Sequence, residues 1–344
     1  MNVADFRSDT ITQPTPEMRR AMANADVGDD VYGEDPTINQ LQQTCARMLG
    51  KEAGLFVASG TMGNLAGILA QCTRGDEVIL GDKAHTFLYE AGGISALGGV
   101  HSCQLPNQPD GTIKLDAIEA AIRPDDAHAP VTRLIALENT HNRCGGVAIG
   151  KAYCANVGKL AAEHGIKMHL DGARLFNAVA AGGLSASELA DPFDSVTVCL
   201  SKGLCAPVGS VLCGSKEFIY RAHRIRKQLG GGMRQAGILA AAGLVALESM
   251  VERLAEDHTR AAKLAAGLGN IPGIKLDSPK PASNMVFMTL EQDVSLNAAQ
   301  AAEMLAMRGI KVGVVGARRF RLVTHYWIDD QAVEQAIAAF NEIL

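Results

Sequence analysis

Two apolar runs, one ending in an acid and the other in a lysine, constrain this chain more than any other feature. The first is Met168-His169-Leu170-Asp171-Gly172-Ala173-Arg174. The second is Val196-Thr197-Val198-Cys199-Leu200, followed by Ser201-Lys202. Short apolar, β-branched stretches of this kind read as strands buried on both faces. Further runs at 55–58, 78–80, 134–138, 166–170 and 208–213 alternate with helical patterns at 36–49, 61–72 and 150–164. The helix at 36–49 has a clear start, with Asp35 as N-cap and Pro36 at the first helical position. This alternation predicts an α/β fold around a mostly parallel sheet covered on both faces. Side chains at the carboxyl ends of such strands line the ligand crevice. Asp171 and Lys202 are therefore expected in one site.

Beyond about residue 250 the pattern changes. A polar helix at 248–268 precedes an apolar run at 285–288, a helix near 297–308 and strands near 311–315 and 320–324. The last helix follows the cap Asp329 and carries Val333, Ile337 and Phe340 at helical spacing. These elements predict a small C-terminal α+β domain over 249–344, with residues 1–248, N-terminal segment included, forming the large one. A chain of 344 residues suits that division. The net charge of −5, with both signs well mixed, lacks the basic balance of a nucleic-acid binder. The one basic cluster, Arg221, Arg224, Arg226 and Lys227, reads as a solvated or subunit-facing helix. No apolar run is long enough to span a bilayer, and the polar start Met1-Asn2-Val3-Ala4-Asp5 does not resemble a leader, so a cytoplasmic location is expected. The eight cysteines show neither CxxC pairs nor zinc spacing. They are expected to be reduced, mostly buried thiols, with no metal site.

An acid and a lysine in one crevice have a known joint use. The lysine holds pyridoxal phosphate as a Schiff base, and the acid pairs with the pyridinium nitrogen so that the ring accepts electrons. Ser59-Gly60-Thr61-Met62-Gly63-Asn64 follows a strand and opens a helix, where free amides and the Thr61 hydroxyl can cradle a phosphate. Each feature also has a plainer reading: an ordinary strand-to-helix turn, a buried capping acid, an Arg174–Asp171 ion pair, an exposed lysine. Their order along the chain favours the cofactor.

Eight motifs in series carry a resemblance that runs nearly end to end. They are Phe6-Arg7-Ser8-Asp9-Thr10, the stretch from Val27 to Thr37, Ser59 to Asn64, Leu137-Glu138-Asn139-Thr140-His141, His169 to Arg174, Ser201-Lys202-Gly203-Leu204, Gly230 to Gly237, and Arg321-Leu322-Val323-Thr324-His325. In these the chain resembles the low-specificity L-threonine aldolases, pyridoxal phosphate enzymes of the aspartate-aminotransferase-like fold type I. The resemblance implies a seven-stranded large-domain sheet and retro-aldol cleavage of L-threonine, L-allo-threonine and related β-hydroxy-α-amino acids to glycine and an aldehyde. It makes Lys202 the Schiff-base lysine and Asp171 the pyridinium partner. Gly60 and Thr61 would form the phosphate cup, with Arg234 reaching a phosphate across a subunit boundary. Arg174 would face the cofactor's phenolate oxygen and the substrate. His85 would stack on the ring and move a proton. Ser8 and Arg321 would bind the substrate carboxylate, with Arg318 and Arg319 as rivals by position. His128 would meet the β-hydroxyl, and against it stands the reading of a solvent-exposed loop histidine. The resemblance further implies a homotetramer with sites at subunit interfaces. Another lyase or a racemase of small L-amino acids on this fold is the alternative. A binding-only derivative is disfavoured because Lys202 and Asp171 are both present.

Overall fold

The structure is a computed structural model that describes residues 3–344. Its centre is a seven-stranded sheet. In chain order the strands are β1 (Ala53–Val57), β2 (Asp76–Gly81), β3 (His101–Leu105), β4 (Val131–Glu138), β5 (Lys167–Gly172), β6 (Ser195–Cys199) and β7 (Ser210–Gly214). Across the sheet they lie β1-β7-β6-β5-β4-β2-β3. All run the same way except β7, which is antiparallel to both its neighbours. Strands β2, β6 and β7 are buried along their whole length and β5 nearly so, as a sheet covered on both faces requires. Helices carry the chain between parallel neighbours. The helix Pro36–Met48 starts as its sequence predicts, with Asp35 Oδ1 accepting the Ile38 N–H at 2.9 Å.

Four elements depart from the sequence reading. The edge strand β3 was not anticipated; it is half exposed and has no long apolar run. The helix Gly237–Ser249 was also missed. It is apolar almost all round and packs inside the protein, so it shows no amphipathic stripe. The polar helix expected over 248–268 is confined to Leu254–Leu268, after a break behind that buried helix. The strand expected near 311–315 splits in two. Ile310–Lys311 pairs in parallel with Ala4–Asp5, and Gly313–Val314 joins a separate antiparallel sheet. Val312, between them, turns into the core.

That second sheet has four strands, in the order Gly313–Val314, Arg319–Val323, Met285–Leu290 and Ile274–Leu276. With the helices Leu254–Leu268, Ala298–Met307 and Asp330–Ile343 it encloses its own hydrophobic core, which includes Val286, Phe320 and Phe340. Ala4 and Phe6 belong to this core as well. The N-terminal segment then crosses to the large sheet, where Thr12 Oγ1 donates to the Lys202 carbonyl at 2.8 Å. All eight cysteines are free thiols, six of them buried. Among the described residues no helix is long and apolar enough to cross a membrane.

Candidate active site

The carboxyl ends of β4, β5 and β6 meet where the two cores face each other. Register places Glu138 beside Asp171, and Asp171 beside Thr197. Lys202 stands in the turn just after β6. A cavity of about 360 Å³ opens here, lined by Ser8, His85, Tyr89, Asn142, Arg174, Lys202, Phe287 and Arg321 among others. Five residues singled out from the sequence thus share one cavity: Ser8, His85, Arg174, Lys202 and Arg321. Arg318 and Arg319 do not line it. Arg318 donates to the carbonyls of Leu290 and Val294, and Arg319 pairs with Asp277.

Asp171 lies just beneath, buried. Its Oδ1 accepts the Ala173 N–H at 3.1 Å and its Oδ2 accepts from Asn64 Nδ2 at 2.9 Å. The same Asn64 amide nitrogen donates to Glu90 Oε1 at 2.9 Å. Glu90 Oε1 also lies 2.9 Å from His85 Nδ1. Reactive atoms of His85, Glu90 and Asp171 all fall within 4.8 Å of one another. The hydrogen bond to Glu90 raises the His85 pKa, against the opposing effect of burial. Burial raises that of Glu90, with the nearby Asp171 charge adding to it. Behind Asn64, its Oδ1 sits 3.2 Å from Nε2 of the fully buried His169, whose Nδ1 meets Ser195 Oγ at 2.8 Å. Burial lowers His169 to about 4, so it is a neutral ring that orients the amide.

The opposite wall is cationic. Arg174 is buried and forked onto Asp9, with Nε to Oδ2 at 2.7 Å and Nη2 to Oδ1 at 2.6 Å. Burial alone would raise the Asp9 carboxyl, but the Arg174 charge and hydrogen bonds outweigh it and hold it well below the carboxylate range. Among the described residues Arg321 has no carboxylate partner. Nη1 donates to Asn142 Oδ1 at 2.9 Å and Nη2 to the Arg7 carbonyl at 3.1 Å, while Nε is buried without a partner. Burial, then the neighbouring Arg174 charge, lowers the Arg321 pKa.

The residues suit pyridoxal phosphate. The helix Gly60–Leu69 begins beside the end of β6 and carries Asn64 to Asp171; Gly60 and Thr61 do not line the cavity itself. Ser59 Oγ accepts the Met62 N–H, which leaves the Gly60 and Thr61 amides free at the helix end for a phosphate. A Cβ on Gly60 would come within 2.7 Å of Cys199 Sγ, so only glycine lets the backbone sit this low. Glu90 Oε2 and Arg321 Nε are buried polar atoms without partners. Such atoms call for a ligand.

Two residues singled out from the sequence stand apart in the protomer. His128 has a side chain 95% exposed and bonds only its neighbour Asp126. It precedes the start of β4, the end opposite Glu138, about 23 Å away at the usual strand rise. Arg234 does not line the cavity; its Nη1 meets Asp29 Oδ2 at 2.9 Å. Conversely, Asp9, Asn64, Glu90, Glu138 and Asn142 received no role from the sequence, and each bonds a residue that did. Asp9, Asn64 and Glu138 lie inside quoted motifs, but nothing local reveals partners so far along the chain.

The β-eliminating lyase family matches residues 5–291. A probable low-specificity L-threonine aldolase 2 of Arabidopsis thaliana is 48% identical over 346 residues, covering 100% of this chain and 98% of its own. A threonine aldolase structure from Leishmania major superposes with a TM-score of 0.84 at 23% identity, covering 99% of this chain and 100% of that one. A structure of SPT with PLP reaches a TM-score of 0.78 at 17% identity over 100% of this chain and 87% of that one. These last two likenesses speak for the fold.

Proposed function

The chain belongs to the β-eliminating lyase family and, within it, to the low-specificity L-threonine aldolases, and from that premise we propose how its residues divide the reaction. The enzyme is a pyridoxal-phosphate lyase that cleaves L-threonine to glycine and acetaldehyde. The observation that carries the assignment of roles is the meeting of Lys202, His85, Ser8, Arg174 and Arg321 in one cavity above Asp171. Lys202 and Asp171 hold the cofactor, which when bound supplies the electron sink for the pair left on Cα. The Gly60 and Thr61 amides take its phosphate. Arg174, with Nε and Nη2 already engaged by Asp9, has Nη1 left for a neighbouring oxygen.

Arg321 and Ser8 bind the substrate carboxylate. That contact would fix rotation about Cα and so favour breaking Cα–Cβ rather than Cα–H. His85 Nδ1 lies 2.9 Å from Glu90 Oε1; assigning the proton to Nδ1 leaves Nε2 as the base. It takes the β-hydroxyl proton as Cα–Cβ breaks and the aldehyde forms. A proton then returned to Cα gives glycine.

The finer roles concern assembly and place. A homotetramer with sites at subunit interfaces accounts for His128 and Arg234 standing away from the protomer's own cavity. From a neighbouring copy His128 would meet the β-hydroxyl and Arg234 a phosphate. Eight free thiols suit a cytoplasmic location. The division at 248/249 falls in the helix Gly237–Ser249, one residue before its end.

Product analysis separates the readings. With L-threonine and L-allo-threonine, glycine and acetaldehyde should form in equal amounts, and D-threonine should be left intact. Formation of 2-oxobutanoate and ammonia, or inversion at Cα (L-threonine to D-allo-threonine, L-allo-threonine to D-threonine), in place of glycine would establish a different lyase or a racemase. Lys202→Ala should abolish both turnover and the parent's visible cofactor absorbance; a variant with parental turnover refutes the lysine assignment.

A further inference from the structure

We propose that Glu138 is a positioning residue that sets two working groups of the site at once, the His85 ring and the Arg321 guanidinium. The inference rests on the aldolase reading of the site and deepens it. Glu138 is the last residue of β4, buried, and in register with Asp171. Its Oε2 accepts the His85 N–H at 2.8 Å, and its Oε1 accepts the Asn142 N–H at 2.9 Å. Both N–H groups belong to the first residue of a short helical turn, His85–Leu88 and Asn142–Cys144. Neither turn has a side-chain cap of its own: Ala84 cannot provide one, and His141 does not. One carboxylate from the sheet thus caps both turns, where a local Ser or Asp would otherwise serve.

What these two turns present makes the double cap functional. The first presents His85 to the cavity. The second presents Asn142, whose Oδ1 accepts from Arg321 Nη1 at 2.9 Å. Arg321 lies on the other domain's sheet, and among the described residues its one further acceptor is the Arg7 carbonyl. Glu138 therefore fixes the distance between the proton-transfer group and the carboxylate anchor, through backbone it holds from a rigid strand end. A glutamine could not do this. It has one acceptor oxygen, so its NH₂ would face one of the two N–H donors. Leaving a buried donor unmet releases that turn.

The test uses holoenzyme and two readouts. Glycine titration of the bound cofactor's visible absorbance measures the carboxylate anchor without any cleavage, and steady-state kinetics measures kcat. Glu138→Gln should raise the glycine Kd and lower kcat, each about tenfold or more. Asn142→Ala cuts only the second arm and should raise the glycine Kd more than it lowers kcat. Adding Glu138→Gln to Arg321→Ala should raise the glycine Kd no further, because the anchor through which it acts is gone. A glycine Kd and kcat within twofold of the parent in Glu138→Gln would overturn the proposal, as would full additivity with Arg321→Ala. Should Glu138→Gln fail to fold, Asn142→Ala decides: an unchanged glycine Kd overturns the link to Arg321. If the parent bound glycine but cleaved no threonine, the aldolase reading alone would fall, and the titration would still judge Glu138.

Discussion

The two walls of the cavity are built on different plans. The wall proposed to face the cofactor ring, around Asp171 and Asn64, comes from the large domain alone. Asp171 has both carboxylate oxygens engaged, and Asn64 is tied to Asp171, Glu90 and His169 together. The carboxylate end is assembled from the N-terminal segment, the loop after β4 and the second sheet. There Arg321 reaches neutral acceptors only and keeps a buried Nε without a partner. The first wall is tied together before any ligand arrives, with Glu90 Oε2 left without a partner. The second holds donor capacity in reserve, and its charge is uncompensated where Arg174's is matched by Asp9. A preorganised wall serves charge that develops during reaction. A wall with spare donors serves a group that is charged from the start.

The sharpest test of that contrast is Asp171→Asn. Its amide would offer the ring nitrogen a weaker partner, and its NH₂ would confront either Asn64 or the Ala173 N–H. The loss should fall on kcat, by about 3 kcal/mol or roughly a hundredfold, with KM little changed. Steady-state kinetics with saturating cofactor decides it. A parental kcat would mean that the ring-facing wall does not work through this carboxylate.

Part of that wall was legible in the sequence: Asp171 and Lys202 were named there, while Asn64, Glu90 and His169 received no role. An acid and a lysine ending two apolar runs suffice to bring Asp171 and Lys202 to one edge, because strand direction and burial follow from local pattern. The cap Asp35 was readable for the same reason. Asp9 and Arg174 are 165 positions apart, and Asn64 and Asp171 are 107 apart. No periodicity links such pairs; only the topology brings them together. The helix Gly237–Ser249 escaped notice because burial on every side erases the stripe by which helices are read. His128 and Arg234 show a further boundary, since a protomer by itself leaves them at the surface.

A smaller effect is expected at the other end. Arg321→Ala removes the reserve donors, which in the proposed role would touch the substrate carboxylate before and throughout cleavage. KM should rise by the equivalent of about 2 kcal/mol, some thirtyfold, and kcat should fall less. Some fall is expected because a carboxylate free to swing lets Cα–Cβ leave its alignment. If KM were unchanged while kcat collapsed, the two walls would not divide the work as their construction suggests.

The smallest effect, and the one that reaches into the ring-facing wall's own wiring, is a shift in pH dependence on Glu90→Gln. Glu90 raises the His85 pKa chiefly through its hydrogen bond to Nδ1. As a base His85 must be neutral, so the acid limb of kcat/KM follows its pKa. Glutamine removes the negative partner and lowers that pKa, so the acid limb should move to lower pH while the plateau changes only a few-fold. Stability should respond in the matching sense. In the parent, both His85 and Glu90 have folded-state pKa values above their ordinary 6.5 and 4.5. A group whose pKa is raised by folding contributes stability that is fully present below its unfolded pKa and is lost as pH rises through the folded value. The parent's advantage over Glu90→Gln should thus be greatest below about pH 4.5, shrink as pH rises past Glu90's folded pKa, and shrink again past that of His85. Thermal unfolding of both proteins across pH 4–9 measures this. An acid limb that stayed put would show that Glu90 orients His85 without tuning it, and that the wall's wiring is geometric rather than electrostatic.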